Sequence, residues 1–191
     1  CEKRDPDFDS KMHNVLVIYK QVSLQFDKDG NLLPFEGTPV HTLSYDEKPG
    51  IQAIGSTTPD LPPISNTEKG SSYMRDYEYI RYGTISLLAA IDLLTGEAIP
   101  LVSDTHKSSD FVEFLTRLDA KYPEGDKIRL ILDNHSAHTS QETQRYLNNH
   151  LGRFEFVFTP THGFWLNLVE GFFSNLTKQM LLGIRVASRE E

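Results

Sequence analysis

Apolar positions along the chain fall into segments of two periods. From Asp9 to about Asp27, Met12, Val15, Leu16, Tyr19, Val22 and Phe26 recur near the helical period, and Gly30 ends the run, so a helix is predicted. Leu32–Thr38 reads as loop. Thr42–Asp46 and Gly50–Ser56 read as two short strands on either side of a Lys48-Pro49 turn, followed by a proline-bearing loop over Thr57–Ser65. Tyr77–Asp92 is mostly strand, and Thr95-Gly96 turns it back through Ala98–Val102 as a hairpin. Next comes a helix capped by Ser108 or Ser109, with Phe111, Phe114, Leu115 and Leu118 as its buried stripe. An apolar strand then runs into Asp133. Ser140–Leu151 is a helix and Phe154–Phe158 a strand. A last helix covers about Phe164–Leu182, with a stripe of Trp165, Leu166, Val169, Phe172, Phe173, Leu176 and Met180.

Antiparallel strands first and strand–helix units afterwards imply an α/β fold. The expected sheet is mixed and five-stranded, with helices on both faces. That element order is the one of ribonuclease H-like folds. The 191 residues suffice for one domain with a sizeable core, and no internal repeat is visible. The longest apolar stretch, Ile85–Ile91, is too short to cross a bilayer. A single cysteine, Cys1, excludes an internal disulfide and fits a reducing compartment, so a cytoplasmic location is expected. The net charge of −8 argues against a nucleic-acid partner unless the acids themselves hold cations. The first residue is not Met, so the chain is expected to start inside a longer protein.

Three acids occupy informative positions. Asp46 ends the first predicted strand, Asp133 ends the apolar strand KIRLIL, and Glu170 lies at the border of the last helix's apolar stripe. An apolar strand that ends on a carboxylate needs a reason, because an unpaired buried charge is costly. Together the three would make an oxygen-only site suited to Mg²⁺ or Mn²⁺. Each also has an ordinary reading: Asp46 as a turn residue, Asp133 as the start of an Asx-turn, Glu170 as a solvated helix residue.

The segments YDEKPGIQAIG, DYEYIRYGTISLLAAIDLLTGE, LILDNHSAH and FTPTHGFWLNLVEGFFSNLT, in that order, resemble the catalytic domain of bacterial insertion-sequence transposases. The branch is the six-thirty-type group of the Tc/mariner superfamily, and the likeness runs from about Val40 to Met180. It implies that Asp46, Asp133 and Glu170 are the catalytic, metal-binding triad. The last two stand 37 positions apart, a spacing that the group shares. It also implies a ribonuclease H-like domain over residues 40–191, with 1–39 as the end of a DNA-binding region. The expected activity is Mg²⁺-dependent (or Mn²⁺-dependent) cutting and rejoining of double-stranded DNA, by at least two protomers acting on two DNA ends at the bacterial nucleoid.

Glu47 should point away from Asp46 on a strand and reads as structural or as a support for the ligands. Asn134 and His138 are candidates to orient a ligand carboxylate, with turn formation and helix capping as the plain alternatives. Asn167, one turn before Glu170, is a further candidate. His135 and His138 have no third nitrogen or sulfur ligand at convincing spacing, which argues against zinc. Trp165 reads as a core anchor. The loop Thr57–Arg81, with Tyr73, Tyr77 and Tyr79 among basic residues, is a candidate DNA contact. A ribonuclease H-type nuclease is the main rival, but it calls for another carboxylate on the helix after the hairpin, and Glu113 lies opposite that helix's buried stripe. A non-catalytic DNA-binding remnant is the other.

Overall fold

The computed structural model describes residues 5–34, 36–59 and 78–191. Helix α1 (Phe8–Ser23) precedes strands β1 (Val40–Ser56), β2 (Tyr79–Asp92) and β3 (Ala98–Ser103). Then come α2 (Ser108–Lys121), β4 (Lys127–Leu132), α3 (Gln141–Asn149) and β5 (Phe154–Phe158). The sheet runs β3-β2-β1-β4-β5. β1, β2 and β3 pair antiparallel, whereas β4 lies parallel to both β1 and β5. This is the mixed five-stranded sheet that the element order predicts.

Both faces are covered, and β4 shows why it reads as an unbroken apolar run. Ile128, Leu130 and Leu132 pack with Phe111, Phe114, Leu115 and Leu118 of α2, while Ile131 turns to Val15 and Ile18 of α1. All four stripe residues of α2 are fully buried. Truncating one, as in Leu115→Ala, should cost about 2–5 kcal/mol in a urea melt. Among the described residues, no helix is long and apolar enough to cross a membrane.

Several local expectations are corrected. Lys48-Pro49 is not a turn: β1 runs straight through it, and the extra length is absorbed as a bulge between Lys48 and Ile51. Ser108 and Ser109 do not cap α2. Asp110 does, accepting the Lys107 N–H at 2.7 Å. On α1, Ile18 is buried and Leu16 is exposed.

The last helix is not continuous. A 3₁₀ turn (Phe164–Leu166) leads into α4 (Val169–Leu176), which ends in a π turn (Thr177–Leu181). The break falls at Asn167, whose extended backbone frees its side chain for the sheet. Trp165, on the far side of that break, is 57% exposed rather than a core anchor, and Met180 is exposed as well.

Candidate active site

The ladder between β1 and β4 ends at Ser44 opposite Ile131. Two residues further on, Asp46 and Asp133 emerge beside one another where the two strands part. Asp46 is therefore not at the end of β1; it is in mid-strand, paired to Ala89 of β2 on one side only. The third acid comes from α4, which buries Val169 and Phe173 against Leu87 and Ala89 and leaves Glu170, in its first turn, exposed. Asp46, Asp133 and Glu170 line one cleft of about 370 Å³, together with Asn134, Asn167 and the turn from Thr159 to Phe164.

The alternation of β1 sorts the supporting residues onto two faces. Ser44 and Asp46 face α4. Asn167, 3% exposed, donates its amide to the Tyr45 carbonyl at 2.7 Å and to Asp46 Oδ2 at 3.3 Å. The Ser44 hydroxyl donates to the Asn167 side-chain oxygen and accepts the Val169 N–H at 3.0 Å. One buried amide thus fixes Asp46 and sets the start of α4, and with it Glu170.

Tyr45 and Glu47 face α2. There the fully buried His138 bridges strand and loop: Nε2 lies 2.9 Å from Glu47 Oε1, and Nδ1 lies 3.0 Å from the Asp133 carbonyl and 3.3 Å from its Oδ1. The Tyr45 hydroxyl donates to the same Glu47 oxygen at 2.8 Å. Burial opposes a charge on His138, but its bonds to Asp133 and Glu47 outweigh that and raise its pKa to about 9. The ring is therefore protonated at neutral pH and donates from both nitrogens.

The two aspartates respond in opposite ways. Asp133 is held below its ordinary value, first by the His138 hydrogen bond. Asp46 is pushed up to about 7 by burial, reinforced by the charges of Glu47, Asp133 and Glu170, against a hydrogen bond from the Glu47 N–H. Ionised Asp46 thus destabilises the fold near neutral pH, and a cation in the cleft would relieve that repulsion. The oxygen-only donor set fits Mg²⁺ or Mn²⁺. In chelator at pH 8, Asp46→Asn should raise stability by up to about 4 kcal/mol, since Asp46 is raised by about three pKa units and each is worth about 1.4 kcal/mol. Asp133→Asn should lower it, because it removes the partner of a buried cation. Urea melts of the two variants check both signs.

Residues 56–191 match the DDE superfamily endonuclease family. The chain belongs to that family. It is also 33% identical over 84 residues to the insertion element IS630 uncharacterized 39 kDa protein of Shigella sonnei, an alignment covering 44% of this chain and 24% of that one. Among solved structures, the Mos1 transposase paired-end complex with left transposon end superposes with a TM-score of 0.61 at 14% identity, over 100% of this chain and 53% of that one. The catalytic domain of Mos1 mariner transposase gives 0.57 at 12% identity, over 100% and 78%. These likenesses establish the ribonuclease H-like fold. The chain spans about a quarter of the curated relative and about half of the transposase in the complex.

The family match begins ten residues after Asp46, so within this DDE domain the place of Asp46 rests on the geometry above. The structure brings every predicted site residue to the cleft or directly behind it. Asn134 donates to the Thr159 carbonyl at 2.8 Å, tying the end of β4 to the opposite rim. Asp133 also makes the Asx-type turn anticipated for it, accepting the His135 N–H at 2.9 Å. Ser44 and Tyr45 were not singled out by sequence; only the alternation around Asp46 could have pointed to them. Glu113 is exposed and lies outside the cleft. Glu47, His135 and His138 place three ligand atoms within 4.8 Å of one another, the third being a carboxylate oxygen rather than a nitrogen or sulfur. Both nitrogens of His138 are nonetheless engaged in hydrogen bonds. Most of the loop Thr57–Arg81 lies outside the described residues; within them, Arg81 sits over the Tyr79 ring.

Proposed function

We propose that this domain is the catalytic core of a DNA transposase, hydrolysing strands at transposon ends and joining the freed 3′-hydroxyl to target DNA, with Mg²⁺ or Mn²⁺ as cofactor. The observation that carries the reading is the meeting of Asp46, Asp133 and Glu170, from three separate elements, in the cleft of a DDE-family chain. Two divalent ions in such a site would activate the attacking hydroxyl and stabilise the leaving oxygen of an in-line displacement.

Each residue has a defined part. Asp46 and Asp133 supply the fixed carboxylates, one clamped by Asn167 and the other by His138. Glu170 is exposed on the rim and completes the set from the helix side. The clamps act before substrate arrives, so the carboxylates need no reorganisation when it binds. Two copies pairing two DNA ends form the assembly we infer, since Mos1 is recorded in paired-end complexes. The ribonuclease H-type alternative finds no support at Glu113.

Nicking of supercoiled plasmid by the protein tests the reading. Nicks ending in 3′-hydroxyls should form with Mg²⁺ or Mn²⁺, stop in chelator, and disappear with Glu170→Gln. Nicking that persists in chelator, or in the Glu170 variant, would rule the assignment out.

A further inference from the structure

Behind the carboxylate cleft lies a second cluster with different donors. Glu47 on β1 and His135 and His138 in the loop after β4 each bring one ligand atom within 4.8 Å of the other two. Two of these atoms are ring nitrogens and one is a carboxylate oxygen. The glutamate stands 91 positions before His138, so spacing along the chain pairs the histidines and leaves their third partner to the fold.

The surroundings are those of a ligand set. A metal-bound histidine ordinarily donates its other ring N–H to a carboxylate or a carbonyl, which fixes its tautomer and orientation. His138 already has that arrangement: Nδ1 lies 3.0 Å from the Asp133 carbonyl and 3.3 Å from its Oδ1, while Nε2 faces Glu47. Ligating carboxylates are held in the same way, and the Tyr45 hydroxyl donates to Glu47 at 2.8 Å. His135 brings a nitrogen with nothing to do. Its Nδ1 is buried and has no hydrogen-bond partner among the described residues. Buried polar atoms are nearly always paired, so this one calls for a ligand. The His135 N–H is committed to Asp133, which fixes the backbone, while the half-buried ring has room to turn.

We propose that Glu47, His135 and His138 form a metal site of the zinc class, separate from the catalytic cleft, that takes Zn²⁺ or Co²⁺ through two nitrogens and one oxygen. Two histidines and a glutamate, with water in the fourth position, are a donor set that zinc uses, and imidazole nitrogen disfavours Mg²⁺. Around a tetrahedral ion with bonds of about 2.0–2.1 Å, ligand atoms stand roughly 3.3 Å apart. The Glu47 oxygen and His138 Nε2, now 2.9 Å apart, would part slightly, and His135 would close in. The ion takes the place of the proton between His138 and Glu47, and that proton leaves to solvent. Nδ1 keeps its bond to Asp133, so an occupied site holds the Asp133 clamp from behind. The site needs neither DNA nor cleavage and stands apart from the transposase reading.

Isothermal titration with Zn²⁺ in saturating Mg²⁺, which occupies the all-oxygen cleft, tests it. The wild type should take up one Zn²⁺ per chain and release protons as it does so. His135→Ala should weaken that uptake by at least roughly tenfold, the lower end of what even a partner outside the ligand set is worth. Its ring is half-buried and its backbone bond to Asp133 survives, so the variant should fold, as a urea melt without metal would show. Glu47→Gln, which keeps the shape of the side chain, should weaken uptake as well. Co²⁺ supplies the coordination: a tetrahedral site with nitrogen ligands absorbs strongly in the visible, an octahedral oxygen site weakly. Strong bands that His135→Ala abolishes are the expected result. No Zn²⁺ uptake, uptake that His135→Ala leaves unchanged, or weak Co²⁺ bands alone would overturn the site. Failure of the carboxylate assignment reads differently: Glu170→Gln would keep nicking plasmid, and Glu170 takes no part in this cluster.

Discussion

Replacing Asp133 by Asn is expected to reduce Mg²⁺-dependent strand cleavage by more than the roughly 10–100-fold that follows loss of a partner one shell further out. The exchange keeps size and much of the hydrogen bonding and removes only the charge. Asp133 is the carboxylate that the fold keeps ionised, through His138 and the His135 N–H. It is also the one fixed where β4 parts from β1. Electrostatic repulsion among three acids suggests that such a neutral variant should be as stable as the wild type or more so. The structure corrects this for Asp133: the repulsion falls on Asp46, while Asp133 is stabilised by a protonated histidine. Single-turnover cleavage beside a urea melt separates the two effects. Cleavage within a few-fold of wild type would exclude Asp133 as an essential ligand.

His138→Ala should be the most destabilising substitution near the site, at about 3–5 kcal/mol, the cost typical of breaking a buried ion pair from one side. His138 has no exposed surface and packs 4.6 Å from the Phe111 ring centre and 5.5 Å from that of Tyr45. Its removal leaves a void and strands Glu47, whose side chain is 8% exposed and would keep only the Tyr45 hydroxyl. The double variant Glu47→Leu with His138→Leu should recover much of the stability, because apolar groups of similar size often replace a buried pair without loss. It should not recover metal affinity, since Asp133 would still lack its partner. Chemical denaturation and Mn²⁺ titration of both variants check this. If the double variant regains full metal affinity, His138 has no part in positioning Asp133.

Much of this was legible in the sequence because each element carried its own period. The α2 stripe, the continuous run of β4 and the Thr95-Gly96 hairpin are local signals, and the structure repeats them. The larger errors arise where a local rule gives way to the surrounding structure. Lys48-Pro49 looks like a turn, but pairing with β2 holds β1 extended and turns the irregularity into a bulge. Trp165 and Met180 fit a helical stripe only if the helix is continuous; the Asn167 bonds to Tyr45 and Asp46 interrupt it ahead of α4, and the π turn from Thr177 changes its period behind α4. The candidate site was legible through residue types at strand ends and through four ordered motifs. The alternation of a strand put Glu47 opposite Asp46, but which carboxylate each supporting group holds could not be read. That Asn167 clamps Asp46 while His138 clamps Asp133 from the opposite side follows from the alternation of β1 only once its register is known.

We infer that the cation site is built from oxygens of Asp46, Asp133 and Glu170. Anomalous diffraction from crystals grown with Mn²⁺ tests it most directly. A peak should appear in the cleft within coordinating distance of all three carboxylates, with His138 still bonded to Glu47 behind them. A peak instead among Glu47, His135 and His138, with the cleft empty at saturating Mn²⁺, would contradict it.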